Sequence, residues 1–162
     1  MPKKWVLDAS PIIVLAKLEH LFLLVDLCEE IVVPIGVVQE ISQGLEDDPA
    51  RQWLQSSGKK LIRKVGSIPP VILGWNLGQG ESEVLAWAYK ESGYEAILDD
   101  RAARNCALAF NIPVRGTIGI ILLAKRMGRL EKVTPLFSQI ELTGYRIDPE
   151  LLAAAKRLAK EE

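Results

Sequence analysis

Cysteine and histidine are scarce in this chain of 162 residues, with two of the first and one of the second. Cys28 and Cys106 have no neighbouring cysteine at ligand or redox spacing and lie in apolar helical pattern, so they read as buried free thiols. His20, alone in Leu18-Glu19-His20-Leu21, leaves no partner for a Ser-His-Asp hydrolase or a two-histidine ribonuclease. There is no His/Cys cluster with zinc spacing and no glycine loop of the Walker A or dinucleotide kind; Gly78-Gln79-Gly80-Glu81 would present acid where phosphate needs amides. Apolar runs are short. Lys17, Glu19, His20 and Asp26 break the N-terminal region well before the roughly 18 to 20 residues a spanning helix needs. Trp5-Val6-Leu7 is also too brief for the core of a signal peptide, so a cytoplasmic protein with no membrane partner is expected.

What remains is a chain 49% apolar and 25% charged, the balance of one globular domain over residues 1–162. Short β-rich runs at Trp5 to Leu7, Ile31 to Val33, Ala96 to Leu98 and Ile112 to Val114 alternate with helical pattern. The helical stretches are Pro11 to Leu18, Leu21 to Leu27, Ile35 to Gln43, Ala50 to Gln55, Glu81 to Glu91, Arg101 to Phe110 and Ile118 to Met127. Such alternation predicts parallel βαβ units in an α/β fold. Lys59 to Val65 is a candidate edge strand, and Asp148-Pro149-Glu150 starts a closing amphipathic helix over residues 149–160.

Four acids stand where hydrophobic runs give way to polar sequence. Asp8 ends Trp5-Val6-Leu7, Glu40 follows Val37-Val38, Glu81 follows Gly78-Gln79-Gly80, and Asp99 with Asp100 ends Ala96-Ile97-Leu98. In an open parallel sheet the ligand site lies beyond the carboxyl ends of the strands, so Asp8 and Asp99 become neighbours if their strands are adjacent. Carboxylates gathered there repel one another, and Mg²⁺ or Mn²⁺, hard cations that take oxygen ligands, relieves the repulsion. The direction of Glu40 stays open: Gly36, one turn earlier, either leaves room beside it for an ion or serves close helix packing. Plainer roles exist for each acid: a strand-end turn or helix cap for Asp8 and Asp99, a surface position for Glu40 and a first-turn charge for Glu81.

Leu-Asp-Ala-Ser-Pro at Asp8, Val-Pro-Ile-Gly-Val-Val-Gln-Glu-Ile at Glu40, Gly-Gln-Gly-Glu-Ser-Glu at Glu81 and Ile-Leu-Asp-Asp-Arg-Ala-Ala-Arg at Asp99 together resemble the PIN domain. Pro-Val-Arg-Gly-Thr-Ile-Gly at 113 to 119 is similar to the Gly-Thr segment of one subgroup. The resemblance implies a three-layer α/β/α fold with a mainly parallel central sheet. It also implies a Mg²⁺- or Mn²⁺-dependent endoribonuclease, of which the VapC-type toxins of toxin-antitoxin pairs are the commonest small members, with RNA and a cognate antitoxin as partners. Asp8, Glu40, Glu81 and Asp99 match the four acidic positions; Glu83 and Asp100 are the alternatives if the match shifts. Asp8 and Asp99 would hold the principal ion, while Glu40 and Glu81 would complete its shell, orient water or hold a second ion. Ser10 and Thr117 would support them by hydrogen bonding, unless they only cap helices. Two other readings remain: a PIN-fold binding module with weak catalysis, and a receiver-like regulatory domain.

A net charge of −1 offers little to RNA, but its distribution is uneven. Arg101, Arg104, Arg115, Lys125, Arg126, Arg129 and Lys132 face one acid, Glu131, over that stretch and form the expected RNA-binding run. The Leu, Ile and Val of 11–27 exceed what one small sheet covers, which predicts a homodimer.

Overall fold

The run Lys4–Leu7 is buried from its second residue onward, as a strand covered on both faces must be, and it forms the central strand β1. In the computed structural model, which describes residues 3–162, β1 pairs in parallel with β2 (Glu30–Pro34) on one side and β4 (Tyr94–Ile97) on the other. β3 (Ile62–Arg63) lies outside β2, and β5 (Val114–Arg115) outside β4, giving the all-parallel order β3-β2-β1-β4-β5. Helices flank this sheet in the expected three-layer α/β/α arrangement. They are α1 (Ala9–Lys17), α2 (Phe22–Leu27), α3 (Ile35–Ser42), α4 (Pro49–Gln55), α5 (Pro70–Leu73), α6 (Gln79–Lys90), α7 (Arg101–Ala109), α8 (Thr117–Arg126), α9 (Thr134–Leu142) and α10 (Pro149–Leu158).

Three segments depart from the sequence reading. The expected edge strand at Lys59 to Val65 is a 3₁₀ turn, Lys59–Leu61, followed by only two paired residues. The strand expected at Ile112 to Val114 starts later, because the Ile112 amide closes the preceding helix on Ala107 O at 2.8 Å and Pro113 has no amide to give a ladder. The apolar surplus expected at 11–27 is mostly used within the chain: Ile12, Leu15 and Ala16 are buried where α1 packs against α3, α4 and α8. On α2, Phe22 and Val25 remain exposed. Among the described residues no helix is long and apolar enough to cross a membrane.

Candidate metal centre and nucleic-acid interface

Because β1 and β4 are direct neighbours, in register at Leu7 and Ile97, the residues that follow them emerge side by side. Asp8 takes the N-cap position of α1, and its amide donates to Ile97 O at 3.1 Å. Asp99 and Asp100 leave β4 beside it, with Asp100 capping α7 through Ala103 N at 3.0 Å. α3 brings Glu40 and the first turn of α6 brings Glu81 to the same edge. The result is an open cleft of about 490 Å³ lined by Asp8, Ser10, Glu40, Glu81, Asp99, Asp100, Tyr145 and Arg146. Among the described residues no three of these acids already stand at the spacing of a shared ion. Glu40 is exposed, and Glu81 accepts from the Gly78 amide at 3.4 Å.

Charge accumulates in the cleft. Burial pushes the Asp8 carboxyl up to about 7; the adjacent Ala9 amide opposes the rise, and Glu81, Glu40 and Asp99 add to it. Glu81 is raised as well, by burial first and then by Asp100, with Glu40 contributing further. Asp99 is held differently. Its Oδ1 accepts from Thr117 N at 2.8 Å, and its Oδ2 accepts from Thr117 Oγ1 at 2.6 Å and Ser10 Oγ at 3.1 Å. Neither hydroxyl caps a helix: the N-cap positions of α1 and α8 belong to Asp8 and Gly116. A Cβ at Gly116 would stand 2.9 Å from Asp99 Oδ1 and 2.9 Å from an Arg104 nitrogen, so glycine is what lets both groups approach this turn.

Glu83 does not line the cleft. It is buried and accepts from Gly36 N at 2.9 Å and from Gln79 Nε2 at 2.7 Å. A Cβ at Gly36 would meet its Oε2 at 2.6 Å, so the room that Gly36 leaves is filled by Glu83 and holds no ion beside Glu40. Of the paired acids, Glu81 faces the cleft and Glu83 faces the packing between α3 and α6. Asp99 and Asp100 both reach the cleft, Asp100 from its exposed rim.

The basic run divides. Arg101, Arg104 and Arg115 line a second cleft of about 630 Å³ that shares Asp99 and Tyr145 with the first. Arg115 pairs with Glu95 at 3.3 Å. Lys125, also expected in the RNA-binding run, is tied to Glu161 at 2.5 Å and to the Ala159 carbonyl. Arg126 and Arg129 are exposed at and beyond the end of α8. Sequence reasoning missed Tyr145 and Arg146, which arrive on the loop between α9 and α10 just after Gly144, whose φ is +93°. Burial, followed by the charge and hydrogen bonding of Asp99, raises the Tyr145 phenol above its ordinary range. The turn glycine followed by an aromatic and a cation was the available signal, but it lay beyond the basic run.

A family model described as a PIN domain matches residues 4–161. The chain belongs to the PIN-domain family. That membership sets aside the receiver-like alternative, and PIN domains are in general nucleases that use divalent metal ions. No curated protein matches the sequence. In this PIN domain the donors in the cleft are carboxylate and hydroxyl oxygens, the set a hard divalent cation takes, and Asp8, raised first by burial, is raised further by the acids around it. The donor chemistry therefore fits the metal that the family uses.

Proposed function

We propose that this PIN domain is a Mg²⁺- or Mn²⁺-dependent endoribonuclease. The observation that carries the reading is the convergence of Asp8, Glu40, Glu81 and Asp99 on one cleft at the ends of adjacent strands, with Asp8 raised to about 7. Asp8 and Asp99 would hold the ion, Glu40 and Glu81 would complete its shell or orient water, and Asp100 would add a carboxylate at the rim. When bound, the ion supplies an activated water and neutralises charge on the phosphodiester in the transition state. Thr117 and Ser10 keep Asp99 in one orientation, so its oxygens need no reordering when substrate arrives. Arg101 and Arg104 hold the strand by its phosphates beside the cleft.

The test is cleavage of single-stranded RNA with Mg²⁺ or Mn²⁺. Activity should vanish in EDTA and fall by about two orders of magnitude or more in Asp8→Asn and Asp99→Asn, with the circular dichroism of the folded protein retained. Full activity in EDTA would falsify the metal mechanism. That no three acids among the described residues stand at ligand spacing favours one second reading, a PIN-fold nucleic-acid-binding module with weak catalysis. Titration calorimetry showing RNA binding but no uptake of Mn²⁺ would select it.

The motif resemblance extends the proposal to a VapC-like toxin: a single cytoplasmic domain, paired with a cognate antitoxin and acting as a homodimer. Growth arrest on expression, relieved by the product of a neighbouring gene, supports the toxin role. Sedimentation equilibrium at the mass of one chain, unchanged on concentration, removes the dimer.

A further inference from the structure

The second cleft is more than a basic strip. One face of α7 presents Arg101, Arg104, Asn105 and Leu108, the i, i+3, i+4 and i+7 positions, while Ala103, Cys106 and Ala107 on its other side are buried. The same cleft is lined by Ile118 and Leu122 of α8 and by Leu151 of α10. Leu108 and Leu151 are 63% and 47% exposed, so these two side chains face water in the chain alone, while Ile118 is buried in the lining. Of its cations, Arg101 is exposed, Arg104 is half-buried with Nη1 donating to Leu98 O at 3.1 Å, and Arg115 is paired with Glu95; the acid that lines it is Asp99, which accepts from Thr117 and Ser10. Tyr145 stands on the border with the acidic cleft and lines both.

A cleft lined by isoleucine and leucine side chains, one side-chain amide and guanidinium groups matches a nucleotide in each part. The cleft walls take the faces of a base, the Asn105 amide offers a donor and an acceptor to its edge, and the arginines take phosphate. Charge favours this occupant: the cleft is positive, it adjoins the proposed cleavage site, and a strand crossing Tyr145 would span both. We propose that this cleft is a nucleobase subsite, receiving the base that adjoins the cleaved phosphodiester, with Asn105 reading its edge and Arg101 and Arg104 holding the phosphate beyond it. The assignment rests on the nuclease reading for its place next to the cut. Its binding chemistry stands on the cleft itself.

The experiment measures fluorescence anisotropy of labelled RNA homopolymers of each base, about ten nucleotides long, on full-length Asp8→Asn protein in Mg²⁺, which separates binding from cleavage. Leu151→Asp, at an exposed position, should weaken binding about tenfold. Asn105→Ala should collapse the spread of affinities among the homopolymers. Arg101→Ala and Arg104→Ala should each lower the slope of log affinity against log salt by about 0.7, the loss of one phosphate contact on a single strand. Unchanged affinity, base spread and slope in all four variants overturn the subsite. A polyglutamate peptide that displaces RNA as well as RNA itself does, with no base dependence, also overturns it and makes the cleft a protein-docking surface. Wild-type cleavage is read in parallel. RNA cleavage without these binding shifts sinks the subsite and leaves the nuclease standing, whereas the shifts without cleavage sink the nuclease and leave the subsite.

Discussion

Asp8 is the residue at which this chain spends stability on its site. Its carboxyl moves from an ordinary 3.8 to about 7 on folding, so between those values the folded state keeps a proton that the unfolded chain has released. Stability therefore falls as pH rises from about 4 to about 7, and the whole penalty is present above that. A shift of this size corresponds to on the order of 4 kcal/mol, less what local relaxation recovers. In EDTA at pH 8, Asp8→Asn should be more stable than the wild-type protein by about 1–3 kcal/mol, and the gap should close near pH 4. Mg²⁺ should raise the melting temperature of the wild-type protein and not that of the variant. Thermal melts read both effects, and a variant that melts lower at pH 8 would make Asp8 a structural cap instead. At this scale the sequence exposed residue types but not partners. Ser10 and Thr117 could be read as hydroxyls near acids, yet only the tertiary fold brings both to Asp99, across separations of 89 and 18 positions.

Periodicity made most elements legible, because a buried strand such as β1 and a one-sided helix such as α7 carry their patterns locally. β3 and β5, at two residues each, are too short for pattern to fix their bounds, so the runs Lys59 to Val65 and Ile112 to Val114 point to them without delimiting them. α9 was missed although Val133, Leu136, Phe137 and Ile140 follow helical spacing and Pro135 sits in its first turn. Where two helices meet, local pattern says nothing, and the α3–α6 junction shows why this matters for the site. These helices carry Glu40 and Glu81, and the bond from Gly36 N to Glu83 locks them together. Glu83→Ala leaves that buried amide without an acceptor, so it should cost about 1–3 kcal/mol and weaken Mn²⁺ binding, although Glu83 is no ligand. Glu83→Gln keeps an acceptor oxygen and should restore most of both. Denaturant melts paired with Mn²⁺ titration calorimetry check this, and equal Mn²⁺ affinity in all three proteins would show that the junction does not position the acids.

Over the whole molecule, a net charge of −1 hides two opposed fields that meet at Asp99 and Tyr145. The total was legible in the sequence, but the segregation was only half legible. The run from Arg101 to Lys132 suggested one basic face, whereas folding commits Arg115 and Lys125 to ion pairs and adds Arg146 to the acidic cleft. Since the two clefts adjoin, a phosphate strand over one lies within the roughly 10 Å screening length of the other at 0.1 M salt, and the acids oppose what the arginines attract. RNA affinity should then depend on whether the acidic cleft is neutralised. At constant ionic strength, Ca²⁺ as the neutralising ion should raise the affinity of the wild-type protein for single-stranded RNA by about tenfold, roughly 1.4 kcal/mol. An Asp8→Asn, Glu40→Gln double variant, with that repulsion already reduced, should bind tightly in EDTA and gain little from Ca²⁺. Anisotropy titrations with and without Ca²⁺ decide it: a wild-type affinity that does not move would mean that the strand avoids the acidic cleft and that the two fields act on different ligands.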